Sequence, residues 1–132
     1  MKGKKYTLAP VELLLMKAIW KTGKASVQEV RDAVAHKRNL AYTTVLSMMR
    51  TLERKGFLAH SEDEDRRFIY RPLVSEKEVT SSMLKDILNR VFDGSKELLL
   101  AHLFDVKEVD DEELALLRKK LSEFEKGKKQ KG

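Results

Sequence analysis

Apolar and polar positions near the start of the chain alternate with the period of an α-helix. A first helix is predicted to begin near Pro10, because proline suits the first turn of a helix, and to end at Gly23. A second is predicted from Ser26, which has Glu29 three residues later, as in a capping box. We expect both helices to contribute to one small core, the second through Val27, Val30, Ala33 and Val34.

The segment 40–56, LAYTTVLSMMRTLERKG, predicts a third helix with two contrasting faces and an end at Gly56. One arc, about 100° wide, is apolar and should face the core; it contains Ala41, Val45, Met48, Met49 and Leu52. The opposite arc contains Thr43, Thr44, Ser47, Arg50, Thr51 and Arg54. It has no carboxylate, because Glu53 lies to its side. Hydroxyls and guanidinium groups bind phosphates and base edges, so the polar arc predicts contact with a polyanion; an ordinary solvated helix face is the alternative.

After Gly56 the pattern changes to that of β-strands. Strand-like runs at 57–61 and 67–73 flank the acidic turn 62–65, and Arg66 and Arg67 lie at the exit of this turn. Three helices followed by a hairpin is the element order of a winged helix-turn-helix, in which the hairpin is the wing. The sequence therefore predicts a DNA-binding domain over residues 1–74, with a basic wing that reaches the DNA backbone.

Residues 75–125 predict three further helices, the first opened by a capping box of Ser75 and Glu78 and ended by Gly94. The predicted fold class is mainly α with a small β-hairpin (α+β): an N-terminal winged helix-turn-helix followed by a C-terminal three-helix dimerisation module. Residues 126–132 are predicted to be a disordered basic tail.

Each of these three helices has a long apolar stripe, and about fifty residues cannot easily bury all of it alone. We therefore predict a homodimer formed through a twofold interface; a compact three-helix appendage on a monomer is the alternative. The side chains expected at the interface are Met83, Ile87, Val91, Leu99, Leu103, Leu114, Leu117 and Leu121.

Charge is distributed unevenly along the 132 residues. Residues 1–74 contain 15 Lys and Arg against 8 Asp and Glu, a net charge of +7, whereas residues 75–125 contain 8 against 13, a net charge of −5. A basic half joined to an acidic half indicates that only the first meets nucleic acid. The chain has no cysteine, no apolar run long enough for a membrane span and no signal-peptide pattern at its start, so we expect a cytoplasmic protein that is not a membrane protein.

Motifs for catalysis are absent from the sequence. It contains no phosphate-binding loop, no paired catalytic carboxylates and no nucleophile motif, so we do not expect an enzyme. His36, His60 and His102 are far apart and lack the spacing of metal ligands. We accordingly predict no metal site and no cofactor.

Four segments together resemble the penicillinase repressor family, which includes methicillin-resistance and copper-responsive repressors: ELLLMKAIW, AYTTVLSMMRTLERKGFL, YRPLV and NRVFDGS. The resemblance covers about residues 8–124. It implies a dimeric winged-helix repressor that binds inverted repeats overlapping promoters, with a recognition helix at 41–55. It also implies base contacts by Thr44 and Ser47. The full set of residues that we assign to DNA binding is Lys37, Arg38, Tyr42, Thr43, Thr44, Ser47, Arg50, Arg54, Arg66 and Arg67.

Two departures from the family concern how the repressor is released. Antibiotic-responsive members are cut by a protease at an Asn-Phe bond in the short helix of the dimer module, where this chain has His102-Leu103. Copper-responsive members carry C-terminal cysteines, which this chain lacks. The sequence therefore supports neither mode of induction and leaves open whether a sensor protease or a small-molecule inducer acts on it.

Two other function classes remain open from the sequence. One is a winged-helix protein-interaction module with no DNA role, against which the acid-free helix face and the basic half argue. The other is a ligand-sensing winged-helix regulator with a small-molecule pocket at the dimer interface. The operator sequence and the regulated gene are not specified by the chain.

Overall fold

The computed structural model describes residues 6–106 and 109–131; residues 1–5 of the predicted first domain and residue 132 of the predicted tail lie outside them. The described residues form six helices and three short strands. In chain order these are α1 (Pro10–Thr22), β1 (Ala25–Ser26), α2 (Val27–Val34), α3 (Tyr42–Arg54), β2 (Leu58–Glu62), β3 (Phe68–Pro72), α4 (Glu76–Val91), α5 (Lys96–Val106) and α6 (Asp111–Lys131).

The first three helices begin where their sequence signals predict, and α1 and α3 end at the predicted glycines. Ser26 Oγ accepts a hydrogen bond from the Glu29 N–H at 3.1 Å, and Glu29 Oε1 accepts one from the Ser26 N–H at 2.8 Å, which completes the capping box. Gly23 and Gly56 follow α1 and α3 with φ of 85° and 91°, a left-handed conformation that other residues rarely adopt.

The sheet has three strands where the sequence predicted two. Its order is β1-β3-β2, and both pairs are antiparallel, with Tyr70 of β3 between Ala25 and His60. The extra strand arises because Ser26, as the N-cap of α2, has an extended backbone. The short link between α1 and α2 is therefore already extended and can pair with β3.

A single core packs α1, α2 and α3 against one face of this sheet, and its buried side chains all lie between Leu8 and Val79. Val45, Met49 and Leu52 hold α3 in place with no exposed surface. Two residues predicted for buried stripes are exposed instead. Ala33 lies about 90° from the centre of the α2 stripe, and Ala41 is the extended N-cap of α3, where the helical wheel does not apply.

The chain divides into two compact units, residues 1–86 and 87–132, so the division falls within α4 rather than before it. The first half of α4 belongs with the winged helix because Val79 is fully buried in that core. The Tyr6 N–H also donates to Ser82 Oγ at 3.1 Å, and Trp20 Nε1 donates to the Val74 carbonyl at 2.9 Å. These contacts join residues 75–86 to the first unit, whereas the sequence predicted a boundary after residue 74.

The second unit contains the end of α4, all of α5 and all of α6. Helix α6 continues to Lys131, so the structure describes residues 126–131, which the sequence assigned to a disordered tail, as helical. Apart from Gly127, these residues are Lys and Gln, which favour helices, and lysine is stabilising at a helix C-terminus. In α5, the His102 ring packs edge-on against Phe92, with centroids 5.2 Å apart.

Candidate nucleic-acid interface

The polar face of α3 is presented to solvent by the burial of its opposite face. Because Val45, Met49 and Leu52 are anchored in the core, the predicted contact residues on the other side are exposed. Thr51 is half-buried, and its Oγ1 donates to the Ser47 carbonyl at 3.1 Å. The exposed residues of this arc, together with Tyr42 at its edge, form what we call the reading face: Tyr42, Thr43, Thr44, Ser47, Arg50 and Arg54.

Arg54, at the end of the reading face, is held along the helix. Its Nη2 donates to Thr51 Oγ1 at 2.9 Å, so part of its donor capacity is used inside the chain. The loop between α2 and α3 carries Lys37 and Arg38, which are both exposed. These two cations lie on the same surface loop that leads into the reading helix, as the sequence predicted.

The wing is the hairpin of β2 and β3, and its turn is closed by Asp63. The Asp63 N–H donates to the Arg67 carbonyl at 2.9 Å, and the Arg66 N–H donates to the Asp63 carbonyl at 3.0 Å. Arg66 has a φ of 61°, which is unusual for a residue other than glycine, and its side chain is exposed. Arg66 and Arg67 therefore occupy the exit of the turn, as predicted.

A groove of about 340 Å³ separates the wing from α2 and α3. It brings together four of the predicted contact residues, three of which are arginines, and no carboxylate lines it. The lining residues are Ser26, Val27, Gln28, Tyr42, Leu46, Arg50, Arg66, Arg67 and Phe68. Three arginines in a lining that contains no carboxylate favour the binding of a phosphate or another oxyanion.

Two polar groove residues, Ser26 and Gln28, were not assigned to binding from the sequence. They lie at the N-terminus of α2, whose backbone N–H groups carry partial positive charge. The capping box located this N-terminus, but only the fold shows that it faces the wing. Next to the groove, hydrogen bonds from Ser26 lower the pKa of Glu29, and the nearby Arg67 charge contributes in the same direction.

A second contact missed by the sequence joins the wing to the reading helix. His60 Nδ1 of β2 lies 2.7 Å from Glu53 Oε1 and 2.9 Å from Glu53 Oε2. The His60 ring packs on Phe68 and Tyr70, with centroids 4.4 and 5.4 Å away. Burial raises the pKa of the Tyr70 hydroxyl. These contacts fix β2 against the last turn of α3, so the wing and the reading face are held in one arrangement.

The penicillinase repressor family model matches residues 8–123, which is most of the chain. The chain belongs to the penicillinase repressor family. Within the family, it is 32% identical to the transcriptional regulator BlaI of Mycobacterium tuberculosis over 122 residues, which cover 91% of this chain and 86% of that protein. It is 27% identical to the penicillinase repressor of Bacillus licheniformis over 123 residues, which cover 93% of this chain and 95% of that one.

A mutant MarR from E. coli has a TM-score of 0.51 and 12% identity, covering 89% of this chain and 77% of the other. At this identity the likeness shows the fold alone, and it agrees with the winged-helix prediction. The family is one of transcriptional repressors and not of enzymes, in line with the function predicted from the sequence.

Over residues 6–106 and 109–131, no helix combines the length and apolarity that crossing a membrane requires. The same residues contain no group of three or more His, Asp or Glu side chains placed to hold a metal ion.

Proposed function

We propose that the chain is a cytoplasmic, homodimeric transcriptional repressor that binds an inverted-repeat operator through α3 and the wing. The observation that carries the proposal is the reading face: a carboxylate-free surface of hydroxyls and arginines on a helix whose opposite face is buried in the core. It adjoins the groove, where three arginines converge. Membership in a family of repressors supports the same function.

The reading face has the chemistry needed for sequence recognition in the major groove. Thr44 and Ser47 are small and exposed, so the helix backbone can approach the base edges closely while their hydroxyls donate or accept. Arg50, one turn away from Ser47, can bind a base edge or a phosphate. The loop residues Lys37 and Arg38 and the wing residue Arg66 would bind the backbone, which sets the position of the helix without reading sequence.

The second unit supports dimerisation through the apolar side chains that one chain leaves exposed. Of the eight residues predicted for the interface, five are exposed: Ile87, Val91, Leu103, Leu117 and Leu121. Leu99 and Leu114 are half-buried. Met83 instead packs against the core of the first unit, so the structure gives it a role within one chain. Contiguous exposed apolar surface is uncommon on monomers and marks association sites.

Further exposed apolar residues in the second unit extend this surface. Leu98, Leu100, Phe104, Leu116 and Phe124 are all at least 40% exposed. A second copy of the chain is the occupant that we propose, since a twofold interface would cover the same surface on both chains. Two DNA-binding units joined in this way would engage half-sites one helical turn, ~34 Å, apart on the duplex.

Replacing Ser47 with leucine tests the reading face, with Ser81→Leu as the matched control. Both serines are exposed on helices of the first unit, but Ser81 lies on α4 and does not belong to the reading face. We expect Ser47→Leu to cost about 1–3 kcal/mol in binding to the operator that footprinting with the wild-type protein identifies, because a base contact is lost. Gel shift or fluorescence anisotropy measures this.

Binding of both variants to DNA of unrelated sequence is the second readout. The phosphate contacts remain, so Ser47→Leu should retain this non-specific binding and its dependence on salt. Ser81→Leu should match the wild type on both DNAs. If Ser47→Leu binds the operator as tightly as the wild type does, α3 does not have the assigned role. If the wild-type protein shows no salt-dependent affinity for duplex DNA, the proposed function itself is contradicted.

A further inference from the structure

Asp63 is unlike the other acids of the wing turn because its carboxylate is fully engaged within the turn. Its Oδ1 accepts hydrogen bonds from the backbone N–H groups of Asp65 and Arg67, at 2.9 and 2.8 Å. Its Oδ2 accepts one from Arg67 Nε at 2.9 Å. The Arg67 backbone N–H is the main reason that the pKa of Asp63 lies below its usual range. Asp63 is therefore an ionised anchor for one particular arginine.

The Asp63 contact fixes Arg67 without consuming its capacity to bind an anion. Only Nε is used, and the Arg67 side chain remains 62% exposed. The two Nη groups make no hydrogen bond with any described residue, and Arg67 lines the groove beside Arg50 and Arg66. A long side chain that is already fixed loses less conformational entropy when it binds a phosphate.

We propose that Asp63 is a positioning residue that presents Arg67 to a backbone phosphate of duplex DNA seated in the groove between the wing, α2 and α3. The inference rests on the proposed DNA-binding function. It adds Asp63 to the residues that support binding, although the negative charge of Asp63 repels the DNA backbone. Arg66 has no corresponding anchor: within residues 6–106 and 109–131 its side chain makes no hydrogen bond or ion pair. The two adjacent arginines thus have different roles, Arg67 as a fixed contact and Arg66 as an adaptable one.

The direction in which Asp63→Asn changes DNA affinity distinguishes a positioning role from simple charge repulsion. Asp63→Asn removes a negative charge next to DNA, which by Coulomb repulsion alone would strengthen binding. If Asp63 positions Arg67, the same substitution weakens binding, because Arg67 loses its ionic anchor while asparagine can still accept the two backbone hydrogen bonds that shape the turn. We expect affinity for a mixed-sequence duplex to fall about three- to tenfold at low salt.

Glu64→Gln is the matched control. Glu64 lies in the same turn, is exposed, and makes no hydrogen bond or ion pair with any described residue. Its substitution makes the same charge change without touching Arg67, so affinity should stay equal to that of the wild type or rise slightly. Asp63→Asn in the Arg67→Ala background completes a double-mutant cycle, and there it should no longer weaken binding.

Arg67→Lys provides a test that leaves Asp63 and the turn backbone intact. Lysine keeps the positive charge but has no Nε–H at the position that Asp63 Oδ2 binds, so it should bind the duplex less tightly than the wild type and more tightly than Arg67→Ala. The Arg67 Nε–H resonance gives a readout without DNA: it should be protected from exchange in the wild type and lose protection in Asp63→Asn. Circular dichroism melting checks that each variant is folded.

The affinity of the wild-type protein for duplex DNA tests the proposed function, whereas the variants test the role of Asp63. If the wild type binds the duplex with the expected salt dependence but Asp63→Asn binds as tightly as Glu64→Gln, Asp63 has no positioning role and the DNA-binding function stands. The same holds if Arg67→Lys equals the wild type. If the wild type shows no affinity for duplex DNA at low salt, the function and the inference both fail.

Discussion

The two units of this chain differ in where their apolar side chains lie. In residues 1–86 they converge on one core, in which Leu15, Ile19 and Leu52 have no exposed surface. In the described part of residues 87–132 many large apolar side chains face solvent, up to 68% exposed at Phe124. The first unit buries its core within one chain, whereas the described part of the second unit leaves these apolar side chains exposed. This contrast is why we assign reading to the first unit and association to the second.

The largest expected effect comes from the same substitution made in each unit, Leu52→Ala and Leu121→Ala. Leu52 is fully buried and Leu121 is 59% exposed. Leu52→Ala should lower the free energy of unfolding of the first unit by about 2–5 kcal/mol, because it leaves a cavity under α3. Leu121→Ala should leave that unit's unfolding unchanged and weaken association. Denaturant unfolding followed by Trp20 fluorescence, at several protein concentrations, separates the two.

Equal losses in the two variants, both independent of protein concentration, would contradict the contrast. They would mean that Leu121 is buried within its own chain in solution. Trp20 is a suitable probe because it is half-buried beside the first-unit core, and it is the single tryptophan of the sequence.

Much of the first unit follows from local sequence signals. The capping box at Ser26, the stop signals at Gly23 and Gly56 and the apolar stripe of α3 all depend on residues within one or two turns of each other, and each was found in the structure. The exposure of Thr44, Ser47 and Arg50 followed from the same stripe, since a helix with one buried face presents the other.

Features that depend on contacts between distant residues could not be predicted in this way. Strand β1 exists because its two residues meet β3, more than forty positions later. The division within α4 depends on Val79 entering a core built by earlier helices. The contacts of His60 with Glu53 and of Arg67 with Asp63 depend on side-chain direction, which composition and spacing do not specify.

A smaller effect is expected on the salt dependence of DNA binding. It should differ between Arg66→Ala in the first unit and Arg118→Ala in the second. Both arginines are exposed, one on the wing and one on α6. Loss of a phosphate contact should make the plot of log affinity against log salt shallower by about one unit for each half-site engaged. Arg66→Ala should show this change and Arg118→Ala should not, as measured by anisotropy titrations across a range of salt concentrations.

An unchanged slope for Arg66→Ala would indicate that the wing tip does not reach the DNA backbone. A slope reduced equally by both substitutions would show that the second unit also meets DNA. In that case the difference in charge between the two halves would not correspond to a difference in role.

Sedimentation equilibrium of the full-length protein tests most directly whether the second unit joins the DNA-binding units of two chains. Leu117→Asp is the paired variant: Leu117 is 40% exposed in one chain, so aspartate is tolerated there but becomes an unpaired charge within an apolar interface. We predict a dimer for the wild type at micromolar concentration and a monomer for Leu117→Asp, with weaker binding to an inverted repeat because linkage between the two DNA-binding units is lost. A wild-type monomer that binds the inverted repeat tightly would contradict this division of roles.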